Sequence, residues 1–302
     1  MTLEQLRIFV AVAERQHVTR AAQDLRLTQS ATSAAIAALE ARYATKLFDR
    51  IGRRIELTDT GRLFLVEARA VLAQAAAAEA LLDELAGLTR GTLLLAASQT
   101  VANYWLPPYM HKFLQLYPGI NLQLSIGNTE QVATWVNEIA VDIGLVEGEV
   151  VNPTLTIDPI AYDDLVLVAS SQHPWAERET ITPEDLIATP WVLREAGSAT
   201  RAILESVLAR FGLSLADCTI SLELPSNEAV LTAVEDGAGA TIVSEVAGRA
   251  RIKAGSLIRR DIGLPTRRFY ALRHKERSQT GAQRAFLSLV AQDVNQLKAP
   301  AK

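Results

Sequence analysis

Apolar residues recur at helical spacing from the start of the chain: Leu3, Leu6, Ile8, Phe9, Val12 and Ala13 share one face of a helix. Glu4, Arg7 and Glu14 break up that run, so it reads as an amphipathic helix and not as an export signal. Thr19 then precedes RAAQDLRL, and Thr28 precedes QSATSAAIAALEARY. Threonine is a natural N-cap, and the short link Leu25-Arg26-Leu27-Thr28 between two such helices fits a helix-turn-helix. Leu47 and Phe48 lead into DRIGRRIEL, a hairpin pattern with a glycine at its tip, which reads as a wing.

Thr58 caps a helix predicted over about residues 59–88. Within it Leu63, Val66, Ala70, Ala73, Ala77 and Ala80 alternate at three- and four-residue steps, a heptad seam of mostly small side chains. The helix is about 45 Å long at 1.5 Å per residue. It has few large apolar residues of its own, so a partner helix is expected on the seam. Beyond Gly91 the pattern changes to short apolar runs alternating with helices. Strands are predicted at 92–97, 120–126, 141–145, 165–169, 191–194, 220–224, 240–244 and 269–272. Helices are predicted up to Tyr117, over 129–139, 198–211 and 227–236, and from about Thr280. Near-continuous apolar strands of this kind predict parallel sheets covered on both faces. About 210 residues is generous for one sheet, so two α/β lobes facing a cleft are expected.

Charge changes the picture of the first segment. The whole chain is slightly acidic, but residues 1–62 hold ten Lys or Arg against seven Asp or Glu, and the remainder holds twenty against twenty-seven. A mildly basic head on an acidic body suits a DNA-binding module joined to something else. Cys218 is the only cysteine, which excludes a disulfide within one chain and a cysteine-based zinc site. With neither an export signal nor a membrane-length apolar run, the cytoplasm is the expected compartment, with no membrane partner. His17, His111, His173 and His274 are scattered, and no HExxH, GxSxG or P-loop occurs. No enzyme, metal or cofactor is expected. Gly237-Ala238-Gly239 lacks the full dinucleotide fingerprint. The second half resembles a solute-binding protein, but the helix-turn-helix argues against a transport role.

On these residues the chain resembles the LysR-type transcriptional regulators. Ala21, Ala22 and Leu25 form an AA-x-x-L element, and Thr28-Gln29 opens a recognition helix ending in Leu39-Glu40. Leu47, Phe48 and Arg50, then Leu57, Thr58 and Gly61, complete the pattern in order. The second half agrees through Leu106-Pro107, FLQLYPGI, VDIGLVEG, REAGSATR and EDGAGATIVSE, so the resemblance covers essentially the whole chain. NTEQV and REAGSATR are similar to the branch that includes regulators of sulfur assimilation and of carbon fixation. The resemblance implies an all-α winged helix-turn-helix over 1–58, a linker helix over 59–90 that pairs with a second chain, and an α/β effector-binding domain over 91–302. That domain would comprise two Rossmann-like lobes resembling periplasmic binding proteins, lobe I at about 91–161 and 267–302 and lobe II at about 162–266. The resemblance also implies homodimers paired into homotetramers, and activity set by a small co-inducer.

A recognition helix reads double-stranded DNA by placing its first side chains on base edges. Those residues here are Thr28, Gln29, Ser30, Thr32 and Ser33; glutamine can pair with adenine, and hydroxyls can bond bases or phosphates. Many relatives carry proline at the position of Ser30 and a basic residue at that of Ala34 or Ala37, so this helix is expected to rely more on the wing, where Arg50, Arg53 and Arg54 supply positive charge. Ligands of open α/β sheets bind beyond the carboxyl ends of strands, where helix N-termini gather. That rule selects Ser98, Gln99 and Thr100; Asn128 and Thr129; Arg194, Ser198 and Thr200; and Asn227. Hydroxyls and helix starts favour a small anion; Arg194 and Arg201 could pair with it or equally with Glu195 or Glu205, and Glu147 would repel it unless paired, which leaves a small oxyanion, a carboxylate or a ligand with both charges open.

Overall fold

The computed structural model describes residues 1–51, 54–85 and 91–297. The chain forms two compact units, the first mainly residues 1–87 and the second most of the remainder.

The first unit holds α1 (Leu3–Arg15), α2 (Val18–Asp24) and α3 (Gln29–Tyr43), the antiparallel hairpin β1 (Phe48–Ile51) and β2 (Arg54–Leu57), and α4 (Asp59–Leu85). Its core is the predicted apolar face of α1 closed by α3 and the hairpin, with Phe9 fully buried and its ring 5.3 Å from Phe48 and 4.9 Å from Phe64. One cap differs from expectation. α2 starts two residues earlier than Thr19 implies, because His17 takes the N-cap and its ring accepts from the Arg20 amide. The turn to α3 is made by Arg26 in the left-handed region, φ +56°. On α4 the seam residues Leu63 and Val66 are exposed and Ala70 and Ala73 half-buried, while Ala68 on the other side is in the core. The side chains of Ala77 and Ala80 lie outside the described residues.

The second unit contains β3 (Gly91–Ser98), α5 (Pro107–Leu116), β4 (Ile120–Gly127), α6 (Thr129–Asn137), β5 (Ile143–Glu147), β6 (Leu155–Asp163), β7 (Leu165–Ser170), α7 (Pro183–Ala188) and β8 (Trp191–Arg194). It continues with α8 (Ala199–Arg210), β9 (Ile220–Leu224), α9 (Asn227–Glu235), β10 (Ala240–Ser244), α10 (Glu245–Ala254), β11 (Leu257–Arg260), β12 (Arg267–His274) and α11 (Gly281–Leu297). Two five-stranded sheets result, ordered β4-β3-β5-β12-β6 and β11-β7-β10-β8-β9. Each has an apolar core on both faces. The two-lobed α/β architecture is as expected.

The sheets are mixed, not parallel as predicted. β3, β4 and β5 run parallel, as do β8, β9 and β10, but β12 is antiparallel to both β5 and β6, and β7 to β10 and β11. The reason is the path of the chain. β6 carries it out of the first sheet and β12 brings it back, so these neighbours run in opposite directions. Their register pairs Asp163 with Arg267 at the point of crossing. β6 was missed because Pro159 sits in it; proline is tolerated there because β6 is an edge strand. The helix predicted after β3 is also interrupted. Val101–Trp105 forms a single π-helical turn, closed by the Leu106 amide on the Val101 carbonyl at 2.8 Å, and Pro107-Pro108 then starts α5.

Candidate DNA-binding surface and interlobe cleft

The start of α3 is built as an exposed helix end. Thr28 caps it, its hydroxyl accepting from the Ala31 amide at 3.2 Å and meeting the Ser30 hydroxyl at 3.0 Å. Thr28, Gln29 and Ser30 are exposed and Ser33 is half-buried. Thr32 is not available to DNA: it is fully buried and donates its hydroxyl back to the Thr28 carbonyl at 3.1 Å, which makes it a packing residue. In the wing, Arg53 lies outside the described residues, and Arg50 and Arg54 are described in their backbone only, as strand residues opposite Ile55 and Ile51.

Three motif residues hold this surface in shape. Glu40, near the end of α3, accepts the amides of Leu47 at 2.8 Å and Phe48 at 3.2 Å and pairs with Lys46 at 3.2 Å. Burial pushes its carboxyl up, but these donors outweigh it and hold the group below the usual carboxylate range. Gly61 has no alternative, since a Cβ there would lie 2.1 Å from the Leu47 carbonyl oxygen. Thr58 ties the same region together, donating to the Lys46 carbonyl and accepting from the Gly61 amide, both at 2.9 Å.

In the second unit, all nine predicted effector residues lie where the two lobes meet. Gln99 and Thr100 at the end of β3 bond across to the start of α9: the Asn227 amide donates to Gln99 Oε1 at 3.1 Å, Asn227 Nδ2 donates to Thr100 Oγ1 at 3.1 Å, and Gln99 Nε2 donates to the Pro225 carbonyl at 2.6 Å. Arg194 donates to Asn227 Oδ1 and holds Glu195 in a two-point pair, each contact 2.8 Å. Asn128 Nδ2 donates to Glu195 Oε1 and the Ala196 carbonyl, both at 3.3 Å. Arg194 is therefore neutralised in place, as is Arg201, which pairs with Glu205 at 3.2 Å and Glu223 at 2.5 Å. Glu195 is driven up by burial, but Arg194 brings it below its ordinary range.

A second set surrounds Glu147, which is 2% exposed. Ser98 donates to its Oε2, Thr129 donates to its backbone carbonyl at 2.9 Å, and Arg267 Nη1 lies 3.9 Å from its Oε1. Arg267 Nε donates to Asp163 at 2.7 Å, Ser244 donates to the other Asp163 oxygen, and Arg267 Nη1 reaches Thr200 Oγ1 at 3.4 Å. Burial raises the Asp163 carboxyl above its ordinary range; Arg267 and Ser244 oppose this and Glu147 adds to it. Glu147 is thus paired, the condition under which it does not stand alone against an anion. Sequence reasoning missed Arg267, Asp163 and Ser244. The readable signal was alternation: Arg267, Phe269 and Ala271 share the buried face of β12, so a charge points inward. Beside this set a groove of about 770 Å³ opens between α6 and α8, with Thr129, Glu130 and Gly148 on one wall and Ser198, Arg201 and Glu205 on the other. Gly148 is required there, since its φ is +85° and a Cβ would lie 2.6 Å from that of Ala199.

Residues 3–62 match the model of the bacterial regulatory helix-turn-helix protein, lysR family, and residues 86–295 match that of the LysR substrate binding domain. The chain belongs to the LysR family: it is a DNA-binding transcription regulator with an effector-binding domain, and not an enzyme. It is 35% identical over 289 residues to the uncharacterized regulator YeiE of Escherichia coli, covering 95% of this chain and 96% of that one. It is 36% identical over 259 residues to a probable RuBisCO transcriptional regulator of Cyanophora paradoxa, covering 85% and 80%, in keeping with the branch the motifs suggested. Full-length OxyR of Pseudomonas aeruginosa superposes with a TM-score of 0.72 at 21% identity, covering 98% of this chain and 95% of that one. The CcmR regulatory domain of Synechocystis in complex with 2-PG superposes with a TM-score of 0.63 at 26% identity, covering 70% of this chain and all of that one. Among the described residues no helix is long and apolar enough to cross a membrane.

Proposed function

We propose that this regulator responds to a small acidic effector held between the two lobes, and that it acts as a dimer joined through α4, paired again into a tetramer. The observation that carries the effector reading is the use of the hydroxyls at the cleft. Thr100 and Ser198 stand at helix starts, are at most 4% exposed, and cap nothing. Thr100 accepts from Asn227 Nδ2, so its hydroxyl hydrogen, like the Ser198 hydroxyl, is left for a ligand. The residues leading into α6, α8 and α9 are linked by hydrogen bonds, Asn128 to Glu195 and Ala196 and Arg194 to Asn227, and partial positive charge at helix starts favours an anion. The complex of the CcmR regulatory domain with 2-PG supports a small-molecule occupant. For DNA, Gln29 reads a base edge from the exposed start of α3, with Thr28, Ser30 and Ser33 beside it and Arg50, Arg53 and Arg54 on phosphates or in the minor groove.

Calorimetry on the full chain, with a panel of inorganic oxyanions and small metabolic acids, tests the cleft. Thr100→Val keeps the shape and removes one hydrogen-bonding group, so affinity falls about ten- to a hundredfold. Binding indifferent to both Thr100→Val and Ser198→Ala would put the sensor elsewhere, and binding of only cationic or apolar compounds would overturn the acid. In mobility-shift titrations against specific and random DNA, Gln29→Ala relaxes base preference and Arg53→Ala weakens binding to all sequences.

A further inference from the structure

The interlobe bonds leave two polar features unused. Arg267 is 3% exposed, yet its Nη2 is buried and has no hydrogen-bond partner among the described residues. Leaving a charged donor buried and unmade costs more than leaving a neutral one, so a partner is expected to arrive from outside the protein. The second feature is the Glu147 carboxylate. Its Oε2 accepts from Ser98, but its Oε1 faces Arg267 Nη1 at 3.9 Å, an ion pair too long to be a hydrogen bond.

The charges around these two groups limit what can bind. Arg194 and Arg267 stand against Glu147, Asp163 and Glu195, a balance of one negative charge. A fully ionised oxyanion therefore meets no net attraction there. Glu147 Oε1 faces the same guanidinium at 3.9 Å, so a ligand seated on Arg267 meets an acceptor on that side. A ligand that carries its own O–H turns that second contact into a hydrogen bond. Resting on the cleft reading above, we propose that Glu147 and Arg267 select an anion that brings its own hydroxyl: Arg267 Nη2 holds the anionic oxygen, and Glu147 accepts the hydroxyl hydrogen. Such a ligand is either a partly protonated oxyanion or a small hydroxy acid. Sulfate and simple carboxylates are rejected for want of a donor, because a site built to bond a hydroxyl loses most of its affinity for analogues without one.

Two matched pairs of probes test this by calorimetry on the full chain at neutral pH and constant ionic strength. Phosphate carries an O–H that sulfate lacks, and glycolate one that acetate lacks. In at least one pair the hydroxyl-bearing member binds tenfold or more tighter, and which pair does so tells the two sources apart. Glu147→Gln offers an amide donor in place of a pure acceptor, and brings that ratio below about threefold. Arg267→Lys keeps the charge but loses the fork, weakening the bound probe while leaving the ratio in place. The parent ratios need no variant to fold. Sulfate or acetate binding as tightly as its counterpart, a ratio unmoved by Glu147→Gln, or binding of none of the four probes overturns the selection. Sulfate binding that Thr100→Val abolishes would overturn the selection and leave the cleft reading intact. Binding insensitive to Thr100→Val, Ser198→Ala and Glu147→Gln alike would remove the cleft reading itself.

Discussion

The start of the recognition helix and the interlobe cleft both present hydroxyl residues at helix starts, and use them in opposite ways. Thr28 is exposed, and its hydroxyl caps an amide three residues on. Thr100 is buried, caps nothing, and accepts instead from Asn227, 127 residues away. The same contrast runs through the two units. In the first, Glu40 finds its donors seven and eight residues along. In the second, Ser98 bonds Glu147, and Asp163 pairs with Arg267 104 residues later. A surface that must meet DNA is stiffened from within its own segment. In the second unit the corresponding contacts join residues distant along the chain, within one sheet for Asp163 and Arg267 and across the two lobes for Asn227 and Thr100.

In the N-terminal unit the outer stripe of α4 leaves large apolar side chains exposed. Leu63 is 74% exposed there, with Val66 exposed as well. If a second copy covers that stripe, Ala73→Glu places like charges inside the seam and separates the dimer. Sedimentation then gives about half the parental mass or less, since the carboxylates would be buried without partners. An unchanged mass means that α4 is not the joint.

The next effect is smaller and lies within the first unit. Glu40→Ala strips the acceptor from two nearly buried amides and lowers the stability of the N-terminal unit by about 2 kcal/mol, seen as faster hydrogen exchange in α3 and the wing. The pH dependence follows from the direction of the shift. The folded Glu40 carboxyl titrates below its ordinary range, so its contribution is complete above about pH 4.3, the unfolded value, and is lost as the pH falls through the folded value. Glu40→Gln flattens that acid limb; a limb identical to the parent's would assign it to other carboxylates.

The contrast also explains what could be read in the sequence. Helix faces are set by neighbours three or four residues apart and the wing hairpin by partners no more than nine apart, and such local patterns survive in a single sequence. Leu39-Glu40, Leu57-Thr58 and Gly61 were legible as a pattern, but their purpose, Glu40 on the Leu47 and Phe48 amides and Gly61 against the Leu47 carbonyl, belongs to the folded unit. The residues proposed for the cleft could be picked out because strand ends and helix starts are themselves local signals. Arg267 was not, because its meaning depends on β12 returning beside β6 after about a hundred residues, which also turned the predicted parallel sheet into a mixed one. Thr32 failed for the opposite reason: residues at the start of a helix share a sequence signal, while only the fold decides which of them face inward.

The smallest expected effect separates the two uses of a hydroxyl most directly. Thr28→Ala removes a working N-cap and costs about 1 kcal/mol of stability in the first unit, whatever ligand is present. Ser198→Ala removes a hydroxyl that makes no capping bond, so the ligand-free protein loses less stability than Thr28→Ala costs. Its cost appears only when an acidic effector is added, as a smaller rise in melting temperature than the parent shows at the same concentration. Melting curves of both variants, with and without the acid that binds the parent, make the test. The serine is 4% exposed and lines the groove beside Thr129, so a packing role would show as destabilisation without ligand, equal in size to the loss with it. A loss confined to the ligand-bound curve assigns the hydroxyl to recognition, and a loss in both makes Ser198 the structural counterpart of Thr28.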